Sequence, residues 1–284
     1  MRTLLTIILV GTFCTTPLSA QEFQGTVKDI QNSGKIKIGY RQSMPPMSFL
    51  NKDGIPSGYS VDLCNSIAAE VKNKIGKDIS IEYVPVTSED RFEALTSKRI
   101  DILCGSTTVT LARRELVDFT QLTFVTGGSY LVLRKHKTKN DSDGKKIGVE
   151  KNTRTAEALK KVSEETESKI EIVLLNSKDE GLSALKKGEI DMFSADQVVL
   201  IGLALKEDSP SEFRILSDMF SHDPIALAVR RNDADFRLIA DTALSNLYET
   251  QQIKTIYKKW FSEFNPSMPS ELRTLFKFNT IPVE

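Results

Sequence analysis

The segment "ALTSKRIDIL" (residues 94–103) recurs as "ALKKGEIDMF" (184–193), with the Ala-Leu and Ile-Asp pairs at identical spacing. A polar tetrapeptide comes shortly before each copy, "TSED" (87–90) before the first and "SKDE" (177–180) before the second. Chance produces single matches of this kind, but rarely several in the same order. The repeat therefore predicts two similar halves.

A third match, "KIGY" (37–40) and "KIGV" (146–149), lies upstream of these segments. In the first half, residues 35–40 have the apolar pattern of a strand, and residues 59–75 carry apolar side chains at helical spacing. Residues 79–86 then alternate as a second strand. This order, repeated twice, predicts an α/β fold of two similar lobes, each a mainly parallel sheet flanked by helices.

The limits of the lobes follow from two further apolar strands. One lies within residues 129–145 and leads into a charged stretch, and the other lies within 222–233. We expect the chain to cross between the lobes at both places, which makes a two-strand hinge. Lobe 1 is then discontinuous, and the predicted limits are 21–131 with 225–284 for lobe 1, and 132–224 for lobe 2.

Residues 1–20 have the features of a signal peptide: Arg2, an apolar core over residues 4–13, and small residues ending at Ala20. No later segment approaches eighteen consecutive apolar residues, so we expect an exported soluble protein. After residue 20 the chain has 37 basic and 38 acidic residues, which argues against nucleic acid as a partner.

Catalytic and metal-binding motifs are missing from the sequence. It contains no "GxSxG", no "HExxH" and no phosphate loop, and neither of its two histidines lies near a cysteine at ligand spacing. We therefore predict no catalytic residues, no metal and no cofactor. Two cysteines remain after the signal peptide, Cys64 and Cys104, and both a disulfide and a pair of buried thiols stay open.

Polar groups follow three strands of the first half: Arg41, then Ser88 and Arg91, then Ser106, Thr108 and Arg113. Each stretch alone also fits a capped loop with a surface arginine. Ligands of open α/β sheets, however, bind beyond the carboxyl ends of the strands, where these groups become neighbours. Hydroxyls, helix starts and arginines there favour a carboxylate.

The second half offers Thr153 and Thr155 after its first strand, and Asp196 after its "IDMF" strand. A carboxylate opposite an anion site suits a ligand that has a cation beside its own carboxylate, and an α-amino acid is such a ligand. For Asp196 alone, an N-cap is the other interpretation.

Several motifs resemble one protein family: "GYRQSMPPMSFL", "GYSVDLC", "PVTSEDRFEAL", "IDILCGSTTVTLARRELVDFT", "GVEKNTRTAEAL" and "FSADQ". Over roughly residues 35–261 the chain resembles the periplasmic amino-acid-binding proteins of ABC importers, solute-binding protein family 3. Within that family it looks nearest to the glutamate/aspartate-binding branch. The resemblance implies the type II periplasmic binding protein fold.

The resemblance also implies roles for the residues named above. The ligand α-carboxylate would be held by Ser106, Thr108 and Arg113, with Thr153 or Thr155 from the second lobe. The ammonium group would be held by Asp196, and an acidic side chain by Arg41, Ser88 and Arg91.

Two positions depart from that branch. Glu180 stands where a histidine can occur, and would repel an acidic side chain unless it points away. Met47 stands where an aromatic residue is common. The amino-acid interpretation is therefore firmer than the glutamate one, and asparagine, glutamine or a broader polar set stay open.

The implied function is capture of an L-amino acid, glutamate or aspartate, by lobe closure in the periplasm. Its implied partners are the free amino acid and the membrane permease of an ABC importer, and we expect a monomer. Two alternatives remain: a cyclohexadienyl dehydratase-like enzyme on the same fold, with Glu180 as its general acid, and a ligand-sensing module.

Overall fold

The computed structural model describes residues 22–134, 144–166, 169–216, 218–263 and 267–282. The predicted signal peptide, residues 1–20, lies outside the described residues. None of the helices in the described ranges has both the length and the apolar character needed to span a bilayer.

The elements divide into three consecutive sets. The first set is α1 (Gly25–Ser33), β1 (Lys35–Tyr40), β2 (Ser43–Met44), β3 (Ser48–Leu50), β4 (Pro56–Ser57), α2 (Tyr59–Ile75), β5 (Ser80–Pro85), α3 (Arg91–Thr96), β6 (Ile102–Thr108), α4 (Leu111–Arg114) and β7 (Val117–Thr126). The second is β8 (Gly128–Leu133), β9 (Lys146–Glu150), α5 (Arg154–Glu165), β10 (Glu171–Leu175), α6 (Lys178–Lys187), β11 (Met192–Asp196), α7 (Gln197–Leu205) and β12 (Phe213–Ile215). The third is β13 (Asp223–Arg230), α8 (Ala234–Glu249), α9 (Ile253–Phe261) and α10 (Ser270–Asn279).

The strands form two large sheets with the orders β5-β1-β6-β13-β7 and β10-β9-β11-β8-β12. In each sheet four strands point the same way, and one, β13 or β8, runs against them. The prediction of two similar, mainly parallel α/β lobes is thereby confirmed. Below, lobe 1 means the elements around the first sheet and lobe 2 those around the second.

The chain changes sheet at Gly127 and again between Ile215 and Asp223. The finer lobe limits, placed after residues 131 and 224, stay predictions. The C-terminal helix α10 packs on lobe 1, against β7 and α8.

The repeated sequence motifs have a structural cause. Asp101 and Asp191, from the two Ile-Asp pairs, each accept a hydrogen bond from a lysine backbone N–H, that of Lys37 at 2.8 Å and that of Lys146 at 2.9 Å. The backbone N–H of each aspartate donates in return to the carbonyl of the same lysine, at 2.8 Å in both lobes. The motif therefore joins β1 or β9 to the turn that precedes the neighbouring strand, β6 or β11.

The glycine of each "KIG" motif has an equally local role. A side chain at Gly39 would collide with Ile100, and one at Gly148 would collide with Ile190. Both isoleucines are buried in the lobe cores. Because each pair comes from the same two repeated motifs, glycine and isoleucine recur together.

A disulfide bond joins Cys64 of α2 to Cys104 of β6, with the two Cα atoms 6.4 Å apart. Helix α2 covers this strand with the apolar face that its sequence spacing predicts. The bond therefore ties the helix to the strand that ends in Ser106 and Thr108.

Candidate functional site

One cleft between the lobes collects eight of the nine predicted site residues, namely Arg41, Arg91, Ser106, Thr108, Arg113, Thr153, Thr155 and Asp196. The ninth, Ser88, is buried beside Arg91. The cleft is also lined by residues to which the sequence analysis gave no role: Met44, Glu150, Arg154, Lys178, Ser194 and Ala195. The carboxyl ends of strands from both sheets thus meet at one place, as parallel strand ends should.

Asp196 lies at the end of β11, where helix α7 begins. Its carboxylate does not cap that helix but points into the cleft, where Ser106 Oγ donates to Oδ2 at 2.6 Å and Thr155 Oγ1 donates to Oδ1 at 3.3 Å. Burial raises the pKa of Asp196, while the two hydroxyl bonds act to lower it. Asp196 therefore occupies the N-cap position of α7 without a capping bond from its side chain, and its carboxylate faces groups from both lobes.

Arg113 lies on the short helix α4, and the N-cap residue Thr110 accepts a hydrogen bond from its backbone N–H at 3.2 Å. Its guanidinium is turned inwards, and Nη1 donates to the Thr108 carbonyl at 2.9 Å. Burial lowers the pKa of Arg113. The alternative of a surface arginine is excluded here.

Arg91 is also buried and reaches across the cleft. Nη1 donates to the Ser88 carbonyl, and Nη2 donates to the Asn152 carbonyl of lobe 2 at 2.8 Å. The guanidinium carbon lies 4.6 Å from the centre of the Phe92 ring. Burial, with the nearby charges of Arg41 and Arg113, lowers its pKa to about 9, which still leaves the group protonated at neutral pH.

Arg41 forms an ion pair with Glu150 of lobe 2, and the other oxygen of the same carboxylate pairs with Lys178. The three side chains are 11%, 2% and 6% exposed. Burial acts to raise the pKa of Glu150, but the charges of Lys178 and Arg41 prevail and hold it at about 2. The cleft thus contains a buried carboxylate between two cations.

The two repeated tetrapeptides make local hydrogen bonds at the starts of helices α3 and α6. Thr87 Oγ1 accepts from the backbone N–H of Asp90 at 3.2 Å, and Asp90 Oδ1 accepts from that of Thr87 at 2.7 Å. At the equivalent place Ser177 Oγ accepts from the backbone N–H of Glu180 at 3.1 Å. The first tetrapeptide thus has the reciprocal bonds of a capping box in the turn that precedes α3, and the second caps α6 through Ser177.

Glu180 is exposed, and its carboxylate accepts hydrogen bonds from Asn176, at 2.7 Å from the backbone N–H and 3.1 Å from the side chain. Glu180 thus points away from the cleft, and the basic side chain that lines it from this helix start is Lys178. The repeat already aligned Lys178 with Ser88, and this alignment is the signal by which Lys178 could have been found.

The two threonines of lobe 2 differ in their contacts. Thr153 Oγ1 caps α5 by accepting from the Ala156 N–H at 3.2 Å and donates to the Glu150 carbonyl at 2.7 Å. Thr155 reaches Asp196 instead.

Met47, noted as a departure, is fully buried in the main core, and Met44 lines the cleft.

Residues 36–263 match the bacterial extracellular solute-binding proteins, family 3. The L-glutamate/L-aspartate-binding protein of Pseudomonas aeruginosa is 29% identical over 277 residues, which are 96% of this chain and 91% of that protein. The glutamate/aspartate import solute-binding protein of Salmonella typhimurium is 28% identical over 257 residues, which are 89% of this chain and 84% of that protein. Both relatives are named as binding proteins rather than enzymes.

A solved structure also has this fold. The crystal structure of an ancestral amino acid-binding protein, a precursor of cyclohexadienyl dehydratase, superimposes with a TM-score of 0.73 at 23% identity, and the match covers 84% of this chain and all of that one. At that identity the likeness establishes the two-lobe fold alone.

Proposed function

Because the chain belongs to the bacterial extracellular solute-binding proteins of family 3, we propose that it binds an acidic L-amino acid, glutamate or aspartate, between its lobes and delivers it to the permease of an ABC importer. The predicted signal peptide and the disulfide both support export to the periplasm. The proposal concerns binding without catalysis.

The charge of the cleft is the observation that carries the acidic specificity. Among its described lining residues five side chains are cationic and two are anionic: Arg41, Arg91, Arg113, Arg154 and Lys178 against Glu150 and Asp196. Arg41 and Lys178 share Glu150, and Arg154 pairs with Glu157 and Asp223, so among these described residues Arg91 and Arg113 have no ion-pair partner. Buried charges without partners are costly, so a ligand with excess negative charge is favoured. A dicarboxylic amino acid, with two carboxylates and one ammonium group, has that excess.

The proposed roles follow from the contacts. Arg113 and the hydroxyls of Ser106 and Thr108 bind the α-carboxylate, since Arg113 supplies a planar pair of donors at a helix start. Asp196 binds the ammonium group from the opposite lobe, with Thr155 beside it. Arg91, Arg41 and Ser88 receive the side-chain carboxylate.

Thermal shifts test the proposal directly. The mature protein, stripped of ligand by unfolding and refolding, is screened against the twenty amino acids, prephenate and arogenate. A ligand that binds only the folded form raises the melting temperature, so glutamate and aspartate should give the largest shifts and their amides much smaller ones. Equal shifts with asparagine and glutamine would contradict acidic specificity. A response to prephenate or arogenate alone would favour the enzyme.

The enzyme alternative lacks a suitable acid in the described cleft. Catalysis of that kind needs a general acid of raised pKa, but Glu180 points away and the pKa of Glu150 is lowered to about 2. The pKa of Asp196 is raised by burial, yet both its oxygens accept hydroxyl hydrogen bonds that favour the anion. These observations favour binding.

Lobe closure gives a separate prediction at Gly202 of α7. A side chain there would overlap the backbone carbonyl of Pro45, which belongs to lobe 1. Gly202→Ala should therefore weaken binding of every ligand by roughly tenfold or more, because overpacking by one methyl group costs about 1–3 kcal/mol. The ranking of the ligands should not change.

Stability without ligand serves as the control for Gly202→Ala. Alanine in a helix is about 1 kcal/mol better than glycine, so the melting temperature of the unliganded variant should stay equal or rise while affinity falls. Titration calorimetry on both proteins measures the affinities. Glutamate affinity equal to that of the wild type would show that the contact with Pro45 is not part of the liganded form.

A further inference from the structure

Glu150 is the one buried acid of the described cleft that the proposed roles leave unused. It ends β9, it is 2% exposed, and its two oxygens pair with Arg41 and Lys178. The Ser88 hydroxyl, assigned to the same part of the ligand, is buried and has no hydrogen-bond partner of its own. Glu150 is thus in direct contact with groups assigned to the side chain of the ligand.

The internal repeat makes this arrangement specific. Alignment of "KIGY" with "KIGV" places Arg41 and Glu150 at equivalent positions, each directly after the motif. The two lobes therefore present opposite charges at the same strand end, and these charges meet across the cleft. Alignment of "TSED" with "SKDE" likewise makes Lys178 the counterpart of Ser88.

We propose that Glu150 is a specificity-determining residue: by pairing with Arg41 and Lys178 it competes with the side-chain carboxylate of the ligand and limits the preference of the cleft for acidic over neutral amino acids. This inference rests on the proposed function, because it takes an amino acid as the ligand. Its physical basis is charge: a fixed carboxylate that shares two cations with the ligand repels the ligand's own carboxylate.

Isosteric ligand pairs isolate that charge. Aspartate and asparagine differ by little but one negative charge, as do glutamate and glutamine. The affinity for the acid divided by the affinity for its amide, called the acid-to-amide ratio below, therefore reports the electrostatic potential where the ligand side chain binds. Glu150→Gln should raise the preference for the acid over its amide by roughly tenfold or more at low, constant ionic strength. Titration calorimetry supplies both constants.

Glu180→Gln is the matched control. It removes the same charge from an exposed residue whose carboxylate bonds to Asn176 outside the cleft. Its acid-to-amide ratio should stay within about twofold of the wild type, since screened surface charges contribute little. Equal effects of Glu150→Gln and Glu180→Gln would overturn the proposal.

Glu150→Gln leaves Lys178 and Arg41 buried without their shared partner, and the variant can fail to fold for that reason. A second pair of variants tests the proposal in that case. Lys178→Gln keeps Glu150 paired with Arg41 and should lower the acid-to-amide ratio. Adding Glu150→Gln to Lys178→Gln should then raise the ratio again, in a background without an unpaired buried lysine. An unchanged ratio between these two variants would overturn the proposal even if the single Glu150 variant does not fold.

The outcomes also separate this inference from the proposed function. A wild-type protein that prefers neutral amino acids would refute the acidic specificity, while a rise in the ratio on Glu150→Gln would still support the role of Glu150. A wild-type protein that binds cationic amino acids, and loses them on Glu150→Gln, would refute both, because Glu150 would then recognise the ligand rather than compete with it.

Discussion

Arg113→Ala is expected to lower the affinity for every amino acid that the wild-type protein binds, by roughly a thousandfold or more. The α-carboxylate is common to all of these ligands, so the loss should not depend on the side chain. Truncating one partner of a buried charge pair costs about 2–5 kcal/mol, and a thousandfold corresponds to about 4 kcal/mol. Calorimetry with glutamate, aspartate and their amides measures the effect.

The geometry of Arg113 explains the size of this effect. Its side chain is fixed by the bond to the Thr108 carbonyl and by burial, so little entropy is lost when the ligand binds. Arg91→Ala should differ in kind. We expect it to lower the affinity for glutamate and aspartate far more than the affinity for asparagine and glutamine, because Arg91 is assigned to the side-chain carboxylate.

Arg114→Ala is the control for both variants. Arg114 is the next residue on the same helix, but it is exposed, so its removal should leave all affinities close to those of the wild type. Glutamate binding within about tenfold of the wild type in Arg113→Ala would contradict the assignment of the α-carboxylate. An unchanged ligand ranking in Arg91→Ala would contradict the side-chain assignment.

Local sequence signals predicted the framework of the cleft well. The apolar spacing predicts α2 with both ends at the observed residues, Tyr59 and Ile75. The repeat predicts two lobes because its motifs are structural: Asp101 and Asp191 bind the backbone of β1 and β9. Signals of this kind depend on residues that are close in the sequence or on one pair of adjacent strands, and a single sequence carries the information for each.

The buried charges of the cleft were harder to predict, because their partners come from different lobes. Residues two apart at a helix start point to different sides, so Lys178 enters the cleft while Glu180 folds back to Asn176. Charge type alone did not distinguish them. Glu150 stands beside threonines that match an anion-binding pattern and has no such pattern itself, so its repeat counterpart Arg41 is the one signal in the sequence that points to it.

Removal of the disulfide is the other change with a large expected effect, and it should lower the free energy of unfolding without changing the ligand preference. Cys64 and Cys104 are 40 residues apart, for which loss of the cross-link costs about 4 kcal/mol in the chain-entropy estimate. We expect a loss close to that value for the double variant Cys64→Ala/Cys104→Ala in urea unfolding, and a similar loss for the wild-type protein in reductant. Reductant should not affect the double variant.

Ligand selectivity tests whether the disulfide also shapes the site. Strand β6 runs from Cys104 directly to Ser106 and Thr108, so a bond that set their position would change the order of ligand affinities when removed. We expect the order to stay the same, because β6 is held in its sheet on both sides by β1 and β13 and this pairing does not need the cross-link. A changed order of affinities in a variant that still folds would show that the disulfide positions the carboxylate-binding hydroxyls. A double variant as stable as the wild type would show that the two cysteines are not joined in solution.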